Sequence, residues 1–329
     1  MSEKKGKGMT KRSPKIIIVG PAYVEMSVKC DSCPEPGQIL EGTGFSCTPT
    51  GPGVNRAIQA ALCGCEVFLL ARVGEDCFGD MIKQNLSRYG VSTDLVYASH
   101  AISTGIILTL VDSRGTNRSC QSEGANKVFG RDEIEYAAAE QAIGSANVCL
   151  IHDGLSQEAV VSAIRSAQIH KTRTVLEVSL PVPERGVVQT PNWPVEYYNA
   201  DILILRFPGL FCRSELGAGR DQDLRLTATD LVAKGASSVV ISMGSYGTLL
   251  TDRQGTQTIR GIQTEMVDHT GCEDAFGGAL AACFGTGDSP ASAVRFAVAA
   301  EALTRSRFGL QDALPVKEEI ITLLQEQPD

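Results

Sequence analysis

The stretch DHTGCEDAFGGAL, residues 268 to 280, has residue types suited to handling an anion. It follows a strand-like run, TEMV, and passes into AFGGALAACFG, which reads as a helix. Gly271 through Asp274 therefore fall at a helix N-terminus, where unsatisfied N–H groups and the positive end of the dipole favour a phosphate. Asp274 in that first turn has two readings. As a helix cap it would contribute about 1 kcal/mol; as a general base it would sit beside the anion whose acceptor it activates.

The elements that must position this loop follow from periodicity. KIIIVG (15–20) is a short buried strand ended by glycine, GVNRAIQAALCG (53–64) a helix, EVFLLARVG (66–74) a strand and DCFGDMIKQNLSRYG (76–90) an amphipathic helix. Further strands are expected at 147–153, 173–179, 200–206 and 237–243, with helices near 131–144, 156–170, 223–235, 289–306 and 316–326. Strands alternating with helices of this length imply βαβ units, a mostly parallel sheet and helices on both faces. Residues 22–47 and 103–122 break the rule. They alternate apolar and polar around Pro/Gly breaks and a turn at Ser113-Arg114-Gly115, as strands of a separate β flap do.

Composition narrows the function. The 329 residues are 43% hydrophobic and 21% charged, with a formal charge of −8, which disfavours a nucleic-acid backbone as partner. No apolar run approaches the roughly 20 residues of a membrane span, and the start lacks the apolar stretch of a secretion signal. The first thirteen residues read as a disordered basic tail. Eleven scattered cysteines, several in apolar runs, indicate reduced thiols and a cytoplasmic protein. Cys30 and Cys33 form a lone CxxC without the second pair or histidines that zinc requires. A nicotinamide-type dinucleotide fold is excluded because IIIVGPAYVE lacks the later glycines of GxGxxG.

DHTGCEDAFGGAL resembles the signature of the ribokinase-like (PfkB) carbohydrate kinases, in which D-x-x-G-x-G-D precedes a small-residue helix. GPGVNRAIQAALCG with RVGEDCFGD, SMGSYGTLL (242–250) and RFGLQ (307–311) resemble three further family motifs in order, so the likeness runs from Lys15 over nearly the whole chain. It implies a ribokinase-like α/β domain over 14–329, with a small β lid drawn from about 22–48 and 97–124. It implies ATP-dependent phosphorylation of a sugar or nucleoside hydroxyl, with Mg2+ and a monovalent cation such as K+, in a homodimer paired through the lid. Carried onto this chain, it makes Asp274 the base and the amides of Gly271, Cys272 and Glu273 the anion hole. Gly244, Gly247 and Gly309 would lie along ATP, Asp268 would hold the monovalent cation, and Gly51 and Asn55 would contact substrate hydroxyls.

The departures from the pattern are as specific. The early Asn and Asp that contact the sugar are Tyr23 and Glu25, and the lysine common after the Gly-Gly pair is Pro52. The N-x-x-E motif that organises magnesium appears as Arg206-Phe207-Pro208-Gly209. The glycine before the base is Glu273. A glutamate facing a phosphate at about 5 Å would cost on the order of 3 kcal/mol per charge pair at an effective dielectric near 20; turned outward, it would cost little. Arg206 reads either as a solvated strand end or as a cation replacing the magnesium motif. Tyr23 reads as lid packing or as a stacking platform, Glu25 as a longer hydroxyl acceptor, and Asp153 as a second acceptor or a structural strand-end residue. The rival function is a non-catalytic member of the fold that binds nucleotide or sugar as a sensor or scaffold.

Overall fold

The computed structural model describes residues 13–181, 191–207, 220–243 and 246–327. β1 (Lys15–Val19) has no polar side chain after its first residue and lies inside a nine-stranded sheet, with two strands on one side of it and six on the other. Its alternate residues enter different cores: Ile16 and Ile18 join one hydrophobic cluster, Ile17 and Val19 the other. A strand buried on both faces is what a near-continuous apolar run supplies.

Beside β1 lie β4 (Glu66–Gly74) and then β5 (Val96–Ser99) on one side. On the other follow β8 (Val148–His152), β9 (Arg173–Ser179), β10 (Ile202–Arg206) and β11 (Ser238–Ser242), all parallel. β12 (Thr248–Asp252) and β13 (Gly255–Ile259) close that edge antiparallel. One face carries α1 (Pro52–Leu62), α2 (Cys77–Arg88), α7 (Cys272–Gly285), α8 (Pro290–Arg305) and α9 (Lys317–Glu326). The other carries α3 (Arg131–Glu135), α4 (Ala137–Ser145), α5 (Gln157–His170) and α6 (Arg220–Ala233).

A second sheet is built from β2 (Tyr23–Lys29), β3 (Thr43–Thr50), β6 (Gly105–Val111) and β7 (Asn117–Ser122), in the order β3-β2-β6-β7. It is the separate β flap expected, and its place in the fold suits a lid. The β2–β6 pair is parallel and the outer pairs antiparallel. Register gives it two unlike faces. Tyr23, Glu25, Thr109, Ser119 and Gln121 share one, joined by hydrogen bonds; Cys47, Met26, Leu108 and Cys120 form an apolar row on the other.

Three local expectations are corrected. The single helix near 131–144 is two, because Tyr136 adopts extended backbone (φ −64°, ψ 134°) between α3 and α4. TEMV (264–267) is not a strand: the amides of Val267 and Asp268 bond to Arg305 O at the end of α8, and Met266 and Val267 are exposed. Within 97–124, Tyr97 to Ser99 belong to β5 of the main sheet rather than to the lid. The tail up to residue 12 lies outside the described residues. Among those residues no helix is long and apolar enough to cross a membrane.

Candidate active site

The C-terminal ends of β8, β9 and β10 bring His152, Asp153, Glu177 and Arg206 to one rim of the sheet. β1 is the switch point, with β4 and β8 on its two sides, and open α/β sheets bind ligands at the carboxyl ends of strands beside such a point. Over the rim sits the N-terminus of α7, with Glu273 and Asp274 in its first turn. Gly271 caps this helix at φ +79°, a left-handed conformation that a side chain would strain, and supplies no capping side chain. Among the described residues the amides of Gly271, Glu273 and Asp274 have no intramolecular acceptor, while Cys272 N–H reaches only His269 O at 3.3 Å. Cys272 contributes backbone alone, since its thiol is buried against Glu301 O.

Asp274 is held by two consecutive residues of α1. Asn55 Nδ2 donates to Oδ2 at 2.8 Å and Arg56 Nη1 to Oδ1. Arg56 is wholly buried and also binds Glu177, with Nε donating to Oε2 at 2.8 Å and Nη2 lying 2.5 Å from the same oxygen. Burial works against its charge, but the Glu177 and Asp274 carboxylates prevail and hold Arg56 above its ordinary pKa. Glu177, only 1% exposed, lies 3.5 Å from Arg206 Nη1, and Arg206 Nη2 donates to Glu273. Asp274, Arg56, Glu177, Arg206 and Glu273 thus form a ring, net −1, in which charge alternates from Asp274 to Glu273 and the two acidic ends are joined by their peptide bond.

The glycines of α7 make room for this ring. A Cβ on Gly277 would collide with Glu177 Oε1 and come within 3.0 Å of Arg56 Nε; one on Gly278 would meet Gln59 Cβ at 2.6 Å. The surrounding groups feel the same burial. Burial and the two guanidinium groups push His152 well below its ordinary pKa, so it is neutral. Burial raises the Asp153 carboxyl to about 6, against the lowering effect of the Ser179 amide bonded to it at 2.7 Å. Burial likewise raises Glu301, which accepts a hydrogen bond from Ser242, to about 7. A small pocket lies between Arg206, Glu273, Phe276, Ser242 and Glu301, linking the ring to the end of β11 where the expected nucleotide loop begins.

The chain matches the model of the pfkB family of carbohydrate kinases over residues 13–317. It belongs to that family. It is 28% identical to a ribokinase of Bacillus subtilis (strain 168) over 94% of this chain and 99% of the relative. It is 24% identical to a deoxyribokinase of Salmonella typhi, over 92% and 96%. The structure of Arabidopsis thaliana ribokinase complexed with ribose and ATP superposes with a TM-score of 0.83 at 22% identity, covering 95% of this chain and 99% of that one.

Other residues that the pfkB resemblance singled out are placed as follows. Asn55 lies against Asp274, with its oxygen accepting from Gln311 at 3.1 Å, and Gly51 caps the same helix. Tyr23 is 4% exposed; its hydroxyl accepts from Gln121 at 2.9 Å and burial raises its pKa to about 12, so it packs the lid. Glu25 accepts from Thr109 at 2.5 Å within the lid. Asp268 accepts from Thr270 N, Thr270 Oγ1 and, at 3.3 Å, Gly309 N, which ties the 307–311 segment to the signature loop. Burial works to raise its pKa, yet those donors leave it below the usual value. Gly247 O accepts from Met243 N at 2.8 Å, while Gly244 lies outside the described residues. Arg206 is no solvated strand end: its side chain is 15% exposed. Arg56 and Glu177, which hold this cluster together, are the residues that sequence reasoning missed. Their one signal is charge inside the apolar runs NRAIQAAL and RTVLEVS.

Proposed function

We propose that this pfkB-family protein phosphorylates a hydroxyl of a sugar or nucleoside, with ATP as donor. The observation that carries the reading is Asp274, oriented by Asn55 and Arg56 at a helix N-terminus whose neighbouring amides lack acceptors. Asp274 takes the proton from the substrate hydroxyl. The amides of Gly271, Cys272 and Glu273 receive the negative charge that develops beside it, and such pre-set donors supply most of the catalysis in phosphoryl transfer. Arg206, Gly247 and Gly309 line the nucleotide end; Gly51 and Asn55 border the substrate end, under a lid bearing Tyr23 and Glu25.

These residues fit a polyphosphate, because open amides and the Arg206 guanidinium converge at one end of the site. They fit magnesium only as an ion carried by the nucleotide, whose role is to neutralise phosphate charge. Among the described residues no three His, Cys, Asp or Glu side chains are placed to hold a metal, and Glu177 and Glu273 are engaged by arginines. Asp268 is the residue proposed to face a monovalent cation. The ribokinase structures carrying ribose and ATP, or ATP and Mg2+, support this choice of ligands. The apolar lid row supports pairing of two copies through the lid.

The test is ATP consumption screened against pentoses, deoxypentoses, hexoses and nucleosides, with Asp274→Asn as control. Turnover with one acceptor class, lost in the control, is expected. A second reading, a nucleotide or sugar sensor without turnover, draws support from the Arg206–Glu273 pair, which fills the phosphate end with the protein's own charges. Ligand binding without ATP consumption would favour it.

A further inference from the structure

Arg206 is poorly satisfied where it sits. Among the described residues its Nε is buried without a hydrogen-bond partner. Its Nη1 points at His152 Nε2 across 2.8 Å, while Gly154 N–H donates to His152 Nδ1 at 2.8 Å. A neutral imidazole has one acceptor nitrogen. With Nδ1 accepting, the ring proton resides on Nε2 and faces a guanidinium N–H, so two donors confront each other. Burial and the neighbouring Arg56 also disfavour the charge of Arg206. Glu177 offers it only the 3.5 Å contact with an oxygen already bound by Arg56. Glu273 is therefore the main restraint on Arg206, and its side chain, 25% exposed, can turn to solvent.

Glu273 also stands in the first turn of α7, beside the amides that have no acceptor. An anion approaching them meets attraction from Arg206 and repulsion from Glu273 at the same place. We infer that Arg206 and Glu273 form a displaceable latch: Glu273 is the resident counter-ion of Arg206, and the phosphate chain of the donor nucleotide takes its place. Glu273 then swings outward, and Arg206 leaves the conflict with His152 to bind phosphate. Phosphate enters by exchange of one anion for another, so Glu273 sets the threshold of anion strength that the site accepts. This deepens the kinase reading and rests on its assignment of the phosphate end.

The test measures binding of ADP and of inorganic tripolyphosphate by calorimetry to wild type, Glu273→Gln, Arg206→Gln and the double variant, with melting curves confirming folding. A latch predicts that Glu273→Gln tightens both ligands by at least about tenfold, from the removal of a competing charge near the phosphate. Arg206→Gln weakens them by a similar factor, and in that background Glu273→Gln brings a clearly smaller gain, because only direct charge repulsion is relieved and no guanidinium is released. Equal or weaker binding by Glu273→Gln overturns the latch. So does a gain of the same size with Arg206 absent, because it would report simple charge repulsion. Absence of binding of either ligand to wild type and Glu273→Gln overturns both the latch and the nucleotide site. Binding that follows the predicted pattern, with no acceptor phosphorylated, leaves the latch standing and defeats the kinase reading alone.

Discussion

Replacing Arg56 by glutamine probes the centre of the charged ring. Arg56 is wholly buried and supplies both close contacts to Glu177, whose remaining cationic neighbour, Arg206 at 3.5 Å, is committed to Glu273. Breaking a buried ion pair by removing one partner costs about 3–5 kcal/mol, since the surviving charge stays desolvated. Glutamine can restore one hydrogen bond, worth about 1 kcal/mol, and Arg206 stays near, so the expected loss is about 3 kcal/mol. For a chain of this length each kcal/mol corresponds to roughly 2 °C, hence a Tm lowered by roughly 6 °C. Asp274 loses one of its two donors at the same time, and kcat should fall about tenfold or more through misplacement of the base. Calorimetric melting and ATP turnover, read on Arg56→Gln and on Arg56→Gln/Glu177→Gln, check both effects. The double variant removes the stranded charge and should recover most of the stability without recovering kcat. A single variant melting within about 1 °C of wild type, or a double variant no more stable than the single, would refute the account of the ring.

Further outcomes can be checked alongside. Asp274→Asn should lower kcat by at least about 100-fold with little change in sugar KM, the signature of a lost general base, measured by steady-state kinetics. Gly277→Ala places a methyl group against Glu177 and Arg56, and should lower the melting temperature by the equivalent of about 1–3 kcal/mol. Glu301 has its pKa raised to about 7 in the folded state, so the stability it contributes is full below its ordinary value and is lost as pH rises toward and through 7. Glu301→Gln should flatten the fall in Tm between pH 5 and 8, and a slope identical to wild type would show that Glu301 is not its source. If two copies pair through the lid as proposed, through the exposed Phe45 and Leu108, sedimentation at micromolar concentration should give a dimer for wild type and a monomer for Leu108→Asp.

The sheet and its covering helices were legible because buried parallel strands and amphipathic helices leave strong local patterns, as KIIIV and NRAIQAAL do. β12 and β13 left a weak one: β13, GTQTI, is a polar edge strand with no buried residue, and periodicity has nothing there to detect. TEMV misled for the opposite reason. It reads as a strand-like run, yet the amides of Val267 and of Asp268 after it are taken up by the end of α8. At the site, Asp274 and the loop around Gly271 could be read because helix-start chemistry is local. The Arg56–Glu177 pair spans 121 positions, and the fate of Glu273 depends on Arg206, 67 positions away. A charge in an apolar run shows that a partner must exist, but its identity is settled only when strand ends and helix starts converge.

Closure of the ring through the Glu273–Asp274 peptide bond limits how this site can change. A glycine at 273 frees Arg206 beside Arg56 with no counter-ion but the shared Glu177, and a neutral residue at 206 strands Glu273 over the open amides. Arg56 and Glu177, both hidden from water, can be exchanged only as a couple. A change toward the glycine pattern of the pfkB signature at 273 is therefore coupled to residue 206, whereas 56 and 177 are coupled to each other. A library that varies one position at a time will lose changes at Arg56 or Glu177 to instability, whereas one that varies the two together can keep them.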